Sequence, residues 1–172
     1  MALATIIYTS GTTGQPKGVM HNFHAVAFAV DRFLKHIPQI KKETFFSYLP
    51  LCHVAEKMLV KCGAIFTGST IYFVENLQTF AANLKSASPT HFLAVPRIWL
   101  KFQEGIVSKF GGQKSFEKIL KIPILGQLII HLIIKKLGLS KAKLLITGAA
   151  PISPELLQWY QQLQVEPKLH RG

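Results

Sequence analysis

The chain has 172 residues, 49% hydrophobic and 16% charged, a balance that excludes a disordered tail and suffices for one domain with a sizeable core. Twenty Lys and Arg against eight Asp and Glu leave a net charge of +12, a field that favours anionic partners such as nucleotides, nucleic acid or acidic lipid headgroups. The chain shows no zinc-ligand spacing, basic zipper or RNA-binding aromatic motif, so nucleic acid is not expected as its partner.

The first element is a short apolar strand over residues 5–8. A run rich in glycine and hydroxyls follows, Thr9-Ser10-Gly11-Thr12-Thr13-Gly14-Gln15-Pro16-Lys17-Gly18, and the expected context is strand, loop, helix. Glycines permit positive φ and close approach of a ligand, and amides freed in a concave turn can point at phosphate oxygens. Ser10, Thr9, Thr12 and Thr13 add hydroxyls, and Lys17 adds a point charge. The spacing does not fit the Walker loop, because Lys17 follows Pro16 and precedes Gly18. It reads either as a different phosphate loop or as a polar strand-to-helix connection.

Phe23, Val26, Ala27, Val30, Phe33, Leu34 and Ile37 then recur at helical spacing, with Asn22 as N-cap and Pro38 as stop. A strand is expected over 45–49 and a helix over 54–66, ending near Gly68. Another strand follows over 70–74, and Asn76 caps a helix whose face is Leu77, Phe80, Ala81 and Leu84. After a strand over 91–95, Pro96 opens a helix at a position where its missing N–H costs nothing. Ile98, Trp99, Phe102 and Ile106 give that helix its buried side, and Gly111-Gly112 ends it.

The positive charge is concentrated in residues 101–143, which hold nine lysines against Glu104 and Glu117. Within them, residues 122–134 are nearly all apolar, but a spanning helix needs about 20 such residues and Pro123, Gly126 and His131 interrupt this run. With Lys118, Lys121, Lys135 and Lys136 around it, the segment reads either as an interfacial helix on an acidic membrane or as a helix packed on the body of a larger enzyme. A last strand over 143–147 runs into Gly148-Ala149-Ala150-Pro151, and Ser153, Pro154 and Glu155 start a helix with Leu156, Leu157, Tyr160 and Leu163 on its buried side. Strands alternating with helices give the expected fold class, an α/β layered domain.

Cys52 and Cys62 show no metal-ligand clustering and follow no secretory signal, so reduced thiols in a cytoplasmic protein are expected. Cys52 beside His53 is poor geometry for a Cys–His nucleophile if both lie on a strand, where neighbours project to opposite faces.

Four segments carry a family resemblance. Ser10-Gly11-Thr12-Thr13-Gly14 with Pro16-Lys17-Gly18-Val19 resembles the signature loop of the AMP-forming acyl-adenylating enzymes. Leu49-Pro50-Leu51-Cys52-His53-Val54-Ala55-Glu56 resembles a segment of the long-chain fatty acyl-CoA synthetases within that family. Val95-Pro96-Arg97-Ile98-Trp99 resembles a third, and Thr147-Gly148-Ala149-Ala150-Pro151-Ile152-Ser153-Pro154-Glu155 resembles the adenine-side loop. They occur in the family's order and cover the chain almost end to end.

The resemblance implies that a fatty acid carboxylate attacks the α-phosphate of ATP, giving acyl-AMP and pyrophosphate, after which CoA displaces AMP. Lys17, Thr12 and Thr13 would be catalytic, holding the β and γ phosphates with Ser10, Gly11 and Gly14. Thr9 would help hold Mg²⁺, His53 would position substrate, and Gly148, Ala149, Ala150 and Pro151 would contact adenine. Without the resemblance, His53 reads as a structural histidine and Gly148 as a glycine chosen for a turn. Trp99 reads as core, and Arg97 as structural or a CoA-side candidate.

Compared with that family, residues 1–172 look like a partial AMP-binding domain, an incomplete adenylating-enzyme N-terminal domain. The Tyr-Gly-x-Thr-Glu segment with its magnesium glutamate, the ribose-binding aspartate and the small C-terminal domain with its catalytic lysine are not in the sequence. The expectation is a ligase fragment inactive by itself. The alternatives are a nucleotide- or membrane-binding module without catalysis and, more remotely, an unrelated nucleotide hydrolase.

Overall fold

The computed structural model describes residues 2–9, 14–35 and 42–163, and the backbone of 167–169. The expectations resting on Ile37 and Pro38 lie outside them. Two compact units result, Met1–Val74 and Glu75–Gly172.

In the first unit, β1 (Leu3–Thr9) pairs antiparallel with β2 (Lys17–Asn22), with Ile7 opposite Val19 and Thr9 opposite Lys17. The glycine and hydroxyl run is therefore flanked by two strands rather than by a strand and a helix, and the helix begins only afterwards, at α1 (Phe23–Lys35). β2 supplies the backbone partners that a seven-residue strand requires. Residues 17–20 of β2 are exposed on both faces, so no alternation announces a strand there. Asn22 does cap α1, its Oδ1 accepting the Ala25 amide at 2.8 Å.

Val26 and Val30 of α1 pack with Ile7 and Met58, and Ala4, Leu34 and Cys62 lie against that cluster. Phe23, expected on the buried face, is instead exposed, because it stands at the first position of the helix. β3 (Thr44–Ser47) pairs parallel with β4 (Thr70–Phe73), and Phe45 and Phe46 are buried. β3 stops two residues earlier than expected, where the chain turns and the His53 amide donates to the Pro50 carbonyl at 2.8 Å. The segment expected as one helix is π-helical over Glu56–Cys62 and continues as α2 (Gly63–Thr67).

The second unit opens with α3 (Phe80–Ala87). Asn76 accepts the Thr79 amide at 2.9 Å one turn ahead of the helix, so Leu77 lies outside it and is 77% exposed rather than buried. β5 (His91–Ala94), β6 (Leu144–Thr147) and β7 (Pro167–Leu169) pair in parallel in that order. Every residue of β5 and β6 is buried, as expected of parallel strands. β7 was not expected, because three residues beginning with proline carry no period.

Between β5 and β6 run α4 (Pro96–Lys109), α5 (Gln113–Leu120) and α6 (Leu125–Lys136), and α7 (Pro154–Gln162) follows β6. Pro96 occupies the first turn of α4, and Ser153 caps α7 by accepting the Leu156 amide at 3.2 Å. Interlocked rings form the core. Trp99 meets Phe92 at 5.6 Å and Tyr160 at 5.2 Å between centroids, and Trp159 meets Phe116 at 5.7 Å. Tyr160 donates to the Trp99 carbonyl at 2.7 Å, and burial pushes its phenol pKa up. Trp99 is fully buried and Arg97 exposed. No helix among the described residues is long and apolar enough to cross a membrane.

Candidate functional site

Antiparallel pairing sets Thr9 and Lys17 directly opposite each other at the mouth of the glycine and hydroxyl loop. Opposed residues project to the same face, so the Thr9 hydroxyl and the Lys17 ammonium emerge on one side of the hairpin. Both residues are exposed, and the Thr9 hydroxyl also donates to the Lys17 carbonyl at 3.4 Å. Gly14 has φ of 79°, a left-handed conformation that side chains disfavour. Ser10, Gly11, Thr12 and Thr13 lie outside the described residues.

His53 belongs to the same unit, on the turn that leads into the π-helix. Its Nδ1 accepts the Ala55 amide at 3.3 Å, which puts the proton of the neutral ring on Nε2. His53 is thereby fitted to donate an N–H to an oxygen, which suits positioning better than proton abstraction. Cys52 and His53 occupy a turn, so the strand-alternation argument against their pairing does not apply. The Lys57 ammonium donates to the Thr5 hydroxyl and ties the π-helix to β1.

Glu56 was missed as a site residue. It is the sole acid between residues 44 and 74, and 1% of it is exposed. Its Oε2 accepts the Leu49 amide at 3.3 Å, while Oε1 is buried without a partner among the described residues. Desolvation raises its pKa, opposed by the Ser47 hydroxyl, the Leu49 and Tyr48 amides and the nearby His53. A carboxyl so placed braces the turn that carries His53. The signal available in the sequence was one acid inside an apolar run, a pattern that more often marks a solvated face.

In the second unit, β6 delivers the chain to residues 148–151. A Cβ built on Gly148 would meet nothing within 4 Å, so there is room over its backbone for a flat ring. The left-handed conformation falls on Ala149, with φ of 67°, and not on Gly148. Such a conformation costs an alanine about 1 kcal/mol, and strain of this kind clusters at ligand-binding turns. Ala149, Ala150 and Pro151 are exposed. Thr147 beneath them is 2% exposed, and its hydroxyl has no partner among the described residues. At the start of α7, the carboxyl pKa of Glu155 is held down by its own amide and the Ser153 hydroxyl.

The described residues gather no group of three His, Cys, Asp or Glu to hold a metal. Thr9 offers one hydroxyl, which fits Mg²⁺ only as a supplement to phosphate oxygens and water, the ion's usual company.

The chain is 32% identical over 192 aligned residues to long-chain-fatty-acid–CoA ligase ACSBG2 of Gallus gallus, a match covering 94% of the chain and 25% of that protein. The Homo sapiens ACSBG2 is 33% identical, with 94% of the chain and 28% of that protein covered. Among solved structures, the A-PCP didomain of carboxylic acid reductase from Segniliparus rugosus, in complex with AMP, superposes with a TM-score of 0.78 at 28% identity, covering 99% of the chain and 24% of that structure. The chain spans about a quarter of the length of these relatives. The AMP-binding enzyme family matches residues 1–172, and the chain belongs to that family.

Proposed function

We propose that this chain forms the phosphate-side and adenine-side portion of a long-chain fatty acid–CoA ligase. The observation that carries the reading is the pairing of Thr9 with Lys17 on the two strands that flank residues 10–14. A triphosphate seated there meets a lysine charge and a threonine hydroxyl on one face, together with loop amides and the hydroxyls of Ser10, Thr12 and Thr13. When bound, Mg²⁺ would neutralise the β and γ oxygens, with Thr9 as its protein hydroxyl.

In the first half-reaction a fatty acid carboxylate oxygen forms a bond to the α-phosphorus and the bond to the β-phosphate oxygen breaks. Negative charge collects on the departing pyrophosphate, where Lys17 and the hydroxyls of Thr12 and Thr13 stabilise it. His53, through Nε2–H, holds an oxygen of the acyl–phosphate junction. In the second half-reaction CoA sulfur bonds to the carbonyl carbon, AMP leaves and the thiol proton is released. The Gly148–Pro151 turn takes the adenine ring. We place the protein in the cytoplasm, with peripheral contact at an acidic membrane that holds its apolar substrate.

The test is pyrophosphate exchange with ATP and palmitate, run beside nucleotide binding. For residues 1–172 by themselves, the expected result is ATP binding without exchange above a protein-free blank. Robust exchange would sink the inactive-fragment part of the proposal. Absence of any ATP binding would sink the nucleotide reading and favour a module that binds membrane alone.

A further inference from the structure

Glu56 is a buried carboxyl three residues along from His53, and the chain between β3 and the π-helix turns back on itself around the pair. We infer that Glu56 is a positioning residue for His53: its side chain grips the Leu49 end of the turn that carries the imidazole, and that grip keeps the ring in the one tautomer that presents Nε2–H. The inference deepens the ligase reading and rests on it only for what the Nε2–H meets, an oxygen of the acyl–phosphate junction.

His53 is held by its amide, which donates to the Pro50 carbonyl at 2.8 Å, by its carbonyl, which accepts the Lys57 amide at 3.0 Å, and by Nδ1, which accepts the Ala55 amide at 3.3 Å. These bonds are local, and none reaches β3. Glu56 supplies that link. Its Oε2 accepts the Leu49 amide at 3.3 Å, seven residues back along the chain, and the Ser47 hydroxyl and Tyr48 amide also favour its charge. The end of β3 is itself anchored, because the Ser47 carbonyl accepts the Val74 amide at 2.9 Å. One side chain thus ties the first residue of the π-helix to a fixed strand end, with His53 on the loop between them. The Ala55 amide belongs to the residue next to Glu56, so the tie sets the direction of the N–H that meets Nδ1.

Reach decides this role more than charge does. The contact to Leu49 is at the long end for a hydrogen bond, so a side chain shorter by one methylene loses it. The rest of the π-helix is held independently. Met58 packs with Val26 and Val30 of α1, and the Lys57 ammonium donates to the Thr5 hydroxyl. Release of Leu49 therefore loosens the His53 turn and leaves the helix in place. Glu56 is 1% exposed, so its grip owes nothing to whatever covers the surface of this unit.

The experiment compares Glu56→Gln, which keeps the reach and loses the charge, with Glu56→Asp, which keeps the charge and loses the reach. Ring-nitrogen NMR signals of the isotopically labelled chain are recorded at a pH where histidine is neutral, about 8. The His53 signals are identified by their loss in His53→Gln. The parent and Glu56→Gln should show one tautomer, with a bare Nδ1 and a protonated Nε2. In Glu56→Asp both nitrogens should move toward the averaged position of an imidazole that exchanges tautomers. A tautomer kept in Glu56→Asp, or lost in Glu56→Gln, overturns the inference. A purely structural glutamate would lower the urea midpoint in Glu56→Asp without moving these signals. Glu56→Gln is nearly isosteric and keeps the test decisive if Glu56→Asp does not fold.

A second measurement is calorimetry with palmitoyl sulfamoyl adenosine, a stable mimic of the acyl-adenylate. Glu56→Asp and His53→Ala should each weaken binding roughly tenfold, and the double variant should bind no more weakly than His53→Ala alone. Additive losses overturn the inference. A parent chain that does not bind the mimic counts against the ligase reading alone, because the tautomer comparison needs no ligand.

Discussion

Residues 1–74 and 75–172 hold their candidate loops by different means. In the first unit the candidate loop is flanked by the paired strands β1 and β2, most of whose residues are exposed, beside a small aliphatic cluster of Ile7, Val26, Val30 and Met58. In the second, the turn at 148–151 leaves a fully buried strand that is backed by Phe92, Trp99, Trp159 and Tyr160. Backbone pairing fixes one loop and side-chain packing supports the other. Substitutions at the first loop should therefore affect binding more than stability, and substitutions behind the second should do the reverse.

The largest expected effect is that of Trp99→Ala, which empties the centre of the ring network. A loss of about 3–5 kcal/mol is expected, read from urea unfolding followed by Trp159 fluorescence. A loss under about 1 kcal/mol would mean that the rings are not the support for the second unit. Lys17→Ala comes next and tests the contrast from the other side. Stability should move by no more than about 0.5 kcal/mol, because the side chain is exposed. ATP affinity by calorimetry should fall roughly tenfold or more, as expected for loss of a charged hydrogen bond to phosphate. Equal affinity in the variant would remove Lys17 from the binding loop.

Tyr160→Phe removes a hydroxyl that donates to the Trp99 carbonyl and should cost about 1 kcal/mol, seen as a lower urea midpoint with unchanged slope. The smallest effect is that of Glu56→Gln, which is identified by its sign. Glu56 has a folded pKa above the ordinary 4.5, so the folded state holds its proton more tightly than the unfolded chain. Its contribution is most favourable below 4.5 and is lost as pH rises through the folded pKa. The parent should lose stability relative to Glu56→Gln on going from acid to neutral pH. A difference independent of pH would show that the acid is not desolvated in the fold.

Features that rest on neighbours along the chain were legible. Asn22 caps α1, Pro96 opens α4 and Ser153 caps α7, each through contacts within about one turn. What escaped reading depends on distant partners. β2 has no apolar alternation and exists because β1 needs its backbone groups satisfied. β7 is three residues that pair with β6. Thr9, Lys17 and His53 in the first unit and the 148–151 turn in the second were singled out from motif order alone. The burial of Glu56 was not legible, because a glutamate in an apolar run looks the same whether it faces water or a closed turn.

By itself, the sequence determined the family and the order of its loops, since short segments such as Ser10–Gly14 and Thr147–Pro151 are local patterns that survive without their surroundings. Tertiary structure alone decided which side chains share a face. It set Thr9 against Lys17, closed the turn over Glu56 and placed the strain on Ala149. Those outcomes depend on pairing between distant backbone groups and on burial, and neither is a property of any stretch of residues read in isolation.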